Sequence, residues 1–358
     1  MESRIQFLDF LRALAIVFVL LDHLPDYKIP FLGIFSPYFG RLGVGLFIFV
    51  SGYLMFLTNR SFHSTHDILE FYKKRARRIF PLYLIALLVF FVVYGLLAPR
   101  LGFNPGMDFS LDNMIIHTFG LPILLSPAYA TPLLTLYFIG LIVIFYLIYP
   151  FLMKFSQNVK EFLLISLVPF IIFLFLRDFF TIIDDYFFKY YFVFIAGIVF
   201  CYISSSGTNN ENTKQKVKFL LAVPAILVFS LILEMKGMVV YAAGLNADVS
   251  TVMSYVLFDI VIISFCLLQV GIANLFFDDF SPKTKDLIFL IAFASFAVYL
   301  FHRPILTVFY GSTLVVGIPV IIENIIMIFI AVPLVFIISY YIQYYEEKIR
   351  VSSLQSSR

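Results

Sequence analysis

"FLDFLRALAIVFVLLDHLP", residues 7–25, has the length and apolarity of a helix that crosses a membrane, yet it contains Asp9, Arg12, Asp22 and His23. Roughly 20 mostly apolar residues span a hydrocarbon core about 30 Å thick. Each ionisable side chain in that core costs about 2.5–3.5 kcal/mol on insertion scales, so such groups usually face a bundle interior and serve a purpose there. His23 follows Arg12 by eleven positions. At 100° per residue the two share a face to within about 20° and lie roughly 16 Å apart along the axis. The stretch predicts one helix offering a guanidinium and an imidazole to a single cavity at two depths. Asp9, three residues before Arg12, suits an intrahelical ion pair that eases burial of the guanidinium. Asp22 points about 100° away from His23 and is not expected to orient its ring.

The rest of the chain is made of the same material. Of 358 residues, 62% are hydrophobic and 13% charged, with mean hydropathy +0.99, whereas soluble domains carry about 25% charged residues. This excludes a soluble enzyme and predicts an all-α, polytopic membrane bundle. Apolar runs place ten spans near 5–24, 41–58, 79–98, 132–153, 161–177, 187–204, 217–234, 250–271, 286–303 and 317–342. With the N-terminus inside, the segments expected in the cytoplasm hold seventeen of the 25 Lys and Arg residues. That asymmetry predicts cytoplasmic termini at both ends. One integral-membrane domain over 1–345 and a short cytoplasmic tail over 346–358 follow. The N-terminal "MESRIQFLDF" lacks a basic n-region and a cleavage site, so it is expected to stay in the mature protein.

Several other readings bound the function. Cys201 and Cys266 sit in apolar runs without metal-ligand or disulfide spacing, so neither a metal nor a disulfide is expected. No GxxxxGK[ST] occurs, which argues against a transporter driven by its own ATPase. Nothing points to nucleic acid. The long outer loop, about 99–131, carries turn chemistry in "LGFNPGMDFS" and could cap an outward cavity. "SSSGTNNENTKQK", 204–216, has the composition of a solvated linker.

Three further stretches carry chemistry or packing. In "FYKKRARRIFPLYL", 71–84, Lys73 and Lys74 read as positive-inside anchors, while Arg75 and Arg78, three apart on a helix entering the membrane, can turn to one face. Paired guanidiniums are forks suited to a phosphate-bearing ligand. In "FAVYLFHRPIL", 296–306, His302 and Arg303 end the ninth span at about the depth of His23, and Pro304 is expected to loosen the helix where a cavity could open. "GRLGVGLFIFVSGYLM", 40–55, places Gly43, Gly45, Ser51 and Gly52 at small-residue packing positions and reads as mainly structural.

These segments, with "TLYFIGLIVIFYLIYPFL", resemble in content and order the acyltransferase 3 family of multi-pass membrane O-acyltransferases. The family's Arg, ten residues, His pattern falls on Arg12 and His23. Its Arg-x-x-Arg pattern falls on Arg75 and Arg78, and its Tyr-Leu-x-His-x-Pro on Tyr299, Leu300, His302 and Pro304. The chain departs from the pattern at Gly45, where the family often has Asp. Around the fourth span, where the family has a Trp and a Glu, it offers Tyr137 and no carboxylate.

The resemblance implies transfer of an acyl group, acetyl being the expected one, from cytoplasmic acyl-CoA to a hydroxyl of a cell-surface or lipid-linked glycan, at the plasma membrane. Acyl-CoA, probed first as acetyl-CoA, would be a donor substrate rather than a resident cofactor. A neutral imidazole can take the acceptor's proton during attack on a thioester, a role worth about 10²–10⁴ in rate, so His23 is the expected general base. Arg75 and Arg78 would hold the CoA phosphates, and Arg12 would bind pantetheine carbonyls or the thioester oxyanion. His302, Tyr299 and Asp9 would support the site or the acceptor. The rival readings are a transporter or exporter of glycan or lipid intermediates, which would need no acyl-CoA, and an inactive structural partner within a glycan-assembly complex. The oligomeric state is left open, and membrane lipids are expected partners beside acyl-CoA and the glycan acceptor.

Overall fold

The computed structural model describes residues 6–24, 36–101, 106–206 and 247–356, and among them there are helices and connections but no strand. In chain order the helices are α1 (Gln6–His23), α2 (Ser36–Thr58), α3 (Thr65–Phe90), the short α4 (Leu111–Thr118) and α5 (Pro122–Leu125), then α6 (Tyr137–Phe155), α7 (Val159–Phe180) and α8 (Asp185–Ser206). They are followed by α9 (Ala247–Phe276), α10 (Pro282–Val316), α11 (Val320–Ile326) and α12 (Val332–Ser356). A π turn at Phe91–Leu97 prolongs α3, and another at Met327–Ala331 joins α11 to α12. Among the described residues eight helices are long and apolar enough to cross a membrane. Asp9, Arg12 and Asp22 set α1 apart from those eight. The span expected at 217–234 lies outside the described residues, as do most of the 204–216 linker and the basic residues Arg4, Lys28, Lys214, Lys216, Lys218, Lys236 and Arg358.

Helix boundaries follow from local chemistry. The Ser64 side chain accepts from the Asp67 N–H at 3.1 Å, and the Asp67 carboxylate accepts from the Ser64 N–H at 2.9 Å, a reciprocal capping box. That cap starts α3 before the basic run, so the run forms the first turns of one helix through Arg100 rather than a loop leading to residue 79. Ser281 caps α10 and Gly317, at φ 71°, ends it in the left-handed region. The helix does not stop with the span expected at 286–303 but runs on through Pro304. Tyr299 on one side donates to the Thr135 carbonyl at 2.9 Å, and Thr307 on the other bonds the Tyr94 hydroxyl at 2.8 Å. Contacts on both flanks hold α10 through the proline to Val316. The segment expected as a tail also stays helical, carrying α12 to Ser356.

At the centre, α1 packs against α2, α9 and α10, while α2 packs along α8. Small residues permit this. A Cβ on Gly52 would overlap the Phe194 carbonyl of α8, and one on Gly197 would overlap the Phe49 carbonyl of α2, so the two backbones touch reciprocally. Gly43 lies against α1 at Ala15, and Gly45 against Ile262 of α9. The glycine stretch is structural, as its pattern implied, and Gly43, Gly45 and Gly52 seat α1, α9 and α8 in turn.

The 106–131 segment is folded. Asn113 donates to the Thr131 carbonyl at 3.1 Å and accepts from the Thr131 N–H at 3.0 Å. Buried His117 bonds the same carbonyl through Nε2 at 3.2 Å, and the Tyr83 hydroxyl donates to the His117 carbonyl at 2.7 Å. Burial pushes the His117 imidazole down to about 4.

Candidate active site

A cavity of about 840 Å³ opens among α1, α2, α3, α6, α10 and α12. Its charged wall holds Arg12, Arg75, Arg78 and Arg350 with Asp9, Glu346 and Glu347, and its far end is lined by Phe47, Phe138 and Tyr299. The expected Asp9–Arg12 pair forms at 3.7 Å. Arg350 is likewise engaged, 3.6 Å from Glu346 and 3.4 Å from Glu347. Arg75 and Arg78 differ, for among the described residues neither has a carboxylate within ion-pair distance. The Arg75 guanidinium is instead fixed by neutral groups. It donates to Thr58 Oγ1 at 3.1 Å and lies over the Phe71 and Tyr146 rings at 5.3 and 5.7 Å, and its Nε is buried without a hydrogen-bond partner. A guanidinium held in place, with donors to spare and no counter-ion, suits an incoming anion.

Beyond the aromatic end lies the histidine pair. The His23 and His302 rings stack with centroids 5.2 Å apart and 17° between planes, which confirms their common depth. Neither lines the cavity. Arg303 donates from Nη2 to His23 Nδ1 at 2.9 Å. Asp22 Oδ2 lies 3.7 Å from that same nitrogen, closer than helix geometry alone implied, because the carboxylate folds over Gly40, where a Cβ would overlap it. His302 is fully buried, with Nδ1 2.9 Å from both the Val298 and Tyr299 carbonyls and Nε2 without a partner.

Three rings separate the two halves. Phe47, Phe138 and Tyr299 touch one another, with centroids 6.0, 5.8 and 4.7 Å apart, and the Tyr299 ring is 6.1 Å from that of His302. The structure thus brings Arg12, Arg75, Arg78, Asp9 and Tyr299 to one cavity and sets His23 and His302 just past its end. Arg303, whose role beside His23 the sequence left open, and Arg350, Glu346 and Glu347, expected in a tail, also belong to the site. The Glu-x-x-x-Arg spacing of Glu346 and Arg350, one helical turn apart, was the available signal for the latter.

A family description of an acyltransferase domain, acyltransferase 3, matches residues 5–344, nearly the whole chain, and the protein belongs to that family. Its apolar helices and this membership make it a membrane protein of a family defined by acyl transfer. No curated protein and no solved structure matches it.

Proposed function

We propose that the protein is an O-acyltransferase that takes an acyl group, acetyl first among the candidates, from cytoplasmic acyl-CoA and delivers it to a hydroxyl of a cell-surface or lipid-linked carbohydrate. The observation that carries this reading is the pair of guanidiniums, Arg75 and Arg78, facing a cavity with, among the described residues, no carboxylate within ion-pair distance of either. CoA is a nucleotide with phosphates at one end and a long pantetheine arm ending in the thioester. Phosphates on Arg75 and Arg78 would aim that arm along the α1 face, past Arg12, toward the aromatic end of the cavity. There the acyl carbonyl meets the histidine pair. A neutral imidazole accepts the acceptor's proton, the oxygen forms its bond to the acyl carbon, the carbon–sulfur bond breaks, and the thiolate leaves as CoA after protonation. The acyl group crosses between the two halves while the nucleotide remains at the arginine end.

The test is transfer of labelled acetyl from acetyl-CoA by the protein in vesicles prepared from native membranes, which supply surface glycans, beside His23→Ala at equal protein level. Label entering glycan only with His23 present is the expected result. Glycan export without any use of acetyl-CoA would move the transporter reading ahead.

A further inference from the structure

The two histidines are held in opposite tautomers. A guanidinium only donates, so the Arg303 bond at 2.9 Å makes His23 Nδ1 an acceptor, and the proton of the neutral His23 ring sits on Nε2. Backbone carbonyls only accept, so the two 2.9 Å contacts to Val298 and Tyr299 make His302 Nδ1 the donor. In the neutral His302 ring Nε2 is a bare lone pair, buried and without a hydrogen-bond partner. Such a nitrogen is costly to keep inside a bundle unless something comes to it.

We infer that the roles within the stacked pair are divided, His302 Nε2 being the base that takes the acceptor's proton and His23 Nε2–H the donor that holds the acyl carbonyl oxygen. This deepens the acyltransferase reading and rests on it, and it moves the base from the residue that the first-helix motif suggests. The step balances. His302 Nε2 gains the hydroxyl proton as the acceptor oxygen bonds the acyl carbon, and His23 Nε2–H steadies the oxyanion so formed. When the carbon–sulfur bond breaks, the proton on His302 passes to the departing thiolate. Arg303, on Nδ1 of His23, is the positioning residue that keeps that ring a donor.

Conservative variants separate the roles. Asn at 302 keeps a side-chain donor near the Nδ1 position and removes the distal nitrogen. Gln at 23 keeps an N–H near the distal position and cannot act as a base. In vesicles with acetyl-CoA as donor, His302→Asn is expected to lose about 10²–10⁴ in kcat with acetyl-CoA binding unchanged. His23→Ala is expected to lose about 10²–10³, and His23→Gln to recover at least roughly tenfold of that. An unimpaired His302→Asn, or a His23→Gln as inactive as His23→Ala, overturns the assignment. Imidazole ¹⁵N spectra of the wild-type protein, which has five histidines, give a readout free of folding defects. Protonated Nδ1 at His302 and protonated Nε2 at His23 are expected, and the reverse pair sinks the proposal. If the wild type itself never turns over acetyl-CoA while the spectra agree, the acyltransferase reading with this donor has failed and the catalytic roles fall with it.

Discussion

The two halves of the site solve opposite problems. At the arginine end there is room: a cavity of about 840 Å³, side chains partly open to it, and two guanidiniums that, among the described residues, have no carboxylate within ion-pair distance. At the histidine end the rings are stacked at 5.2 Å and each Nδ1 is already committed. On the proposed reading the first half would capture a charged molecule from water, and the second would hold a few atoms in one orientation. The difference teaches where each mutation should register: losses at the arginine end in KM, losses at the histidine end in kcat.

Outside the histidine pair, Arg75→Ala gives the largest expected break in this comparison. Charge-assisted hydrogen bonds are worth about 1.5–3 kcal/mol, so KM for acyl-CoA should rise about 10- to 100-fold with kcat nearly intact. Equal loss in kcat, measured by initial rates in vesicles, would erase the division of labour. Acid provides the next test, on the folded 106–131 segment. His117 is held neutral by burial at about 4 against an ordinary value near 6.5. A histidine with a depressed folded value contributes stability that is present above the unfolded value and lost as pH falls toward the folded one. Going from pH 7 to 5 should therefore cost about 2 kcal/mol, read as earlier thermal unfolding in detergent and faster proteolysis of that segment. His117→Gln should flatten the dependence.

Tyr299→Phe is a smaller perturbation. It removes the bond to the Thr135 carbonyl and leaves the ring layer in place. About 1 kcal/mol of stability is expected to go, with activity within a few-fold; a hundredfold loss of kcat would place the hydroxyl among the reacting groups. The smallest effect belongs to Arg350→Ala. Its ion pairs with Glu346 and Glu347 are partly solvated, so KM for acyl-CoA should shift by less than about fivefold.

Much of this could be read from the chain. The Arg-x-x-Arg spacing put Arg75 and Arg78 on one face, and both line the cavity with Arg12, but the single cavity that helix periodicity implied for Arg12 and His23 does not include His23. Other features depend on tertiary contacts. Apolar runs mark where lipid begins, not where helix does, so the capping box at Ser64 and the continuation of α12 to Ser356 escaped a hydropathy reading. Proline counts as a breaker only until neighbours such as Thr135 and Tyr94 tie down its flanks. The direction in which Arg303 reaches is fixed by the packing of α10 on α1, sequence positions 280 residues apart.

The layer of Phe47, Phe138 and Tyr299 has a bearing on bioenergetics. A cell lives on its membrane potential, and each elementary charge that leaks across surrenders about 2.3 kcal/mol per 100 mV. A continuous column of water from Arg12 to the histidines would be a proton wire across a membrane. Three aromatic rings in mutual contact, with the one hydroxyl among them already given to the Thr135 carbonyl, offer few links for such a wire at this point.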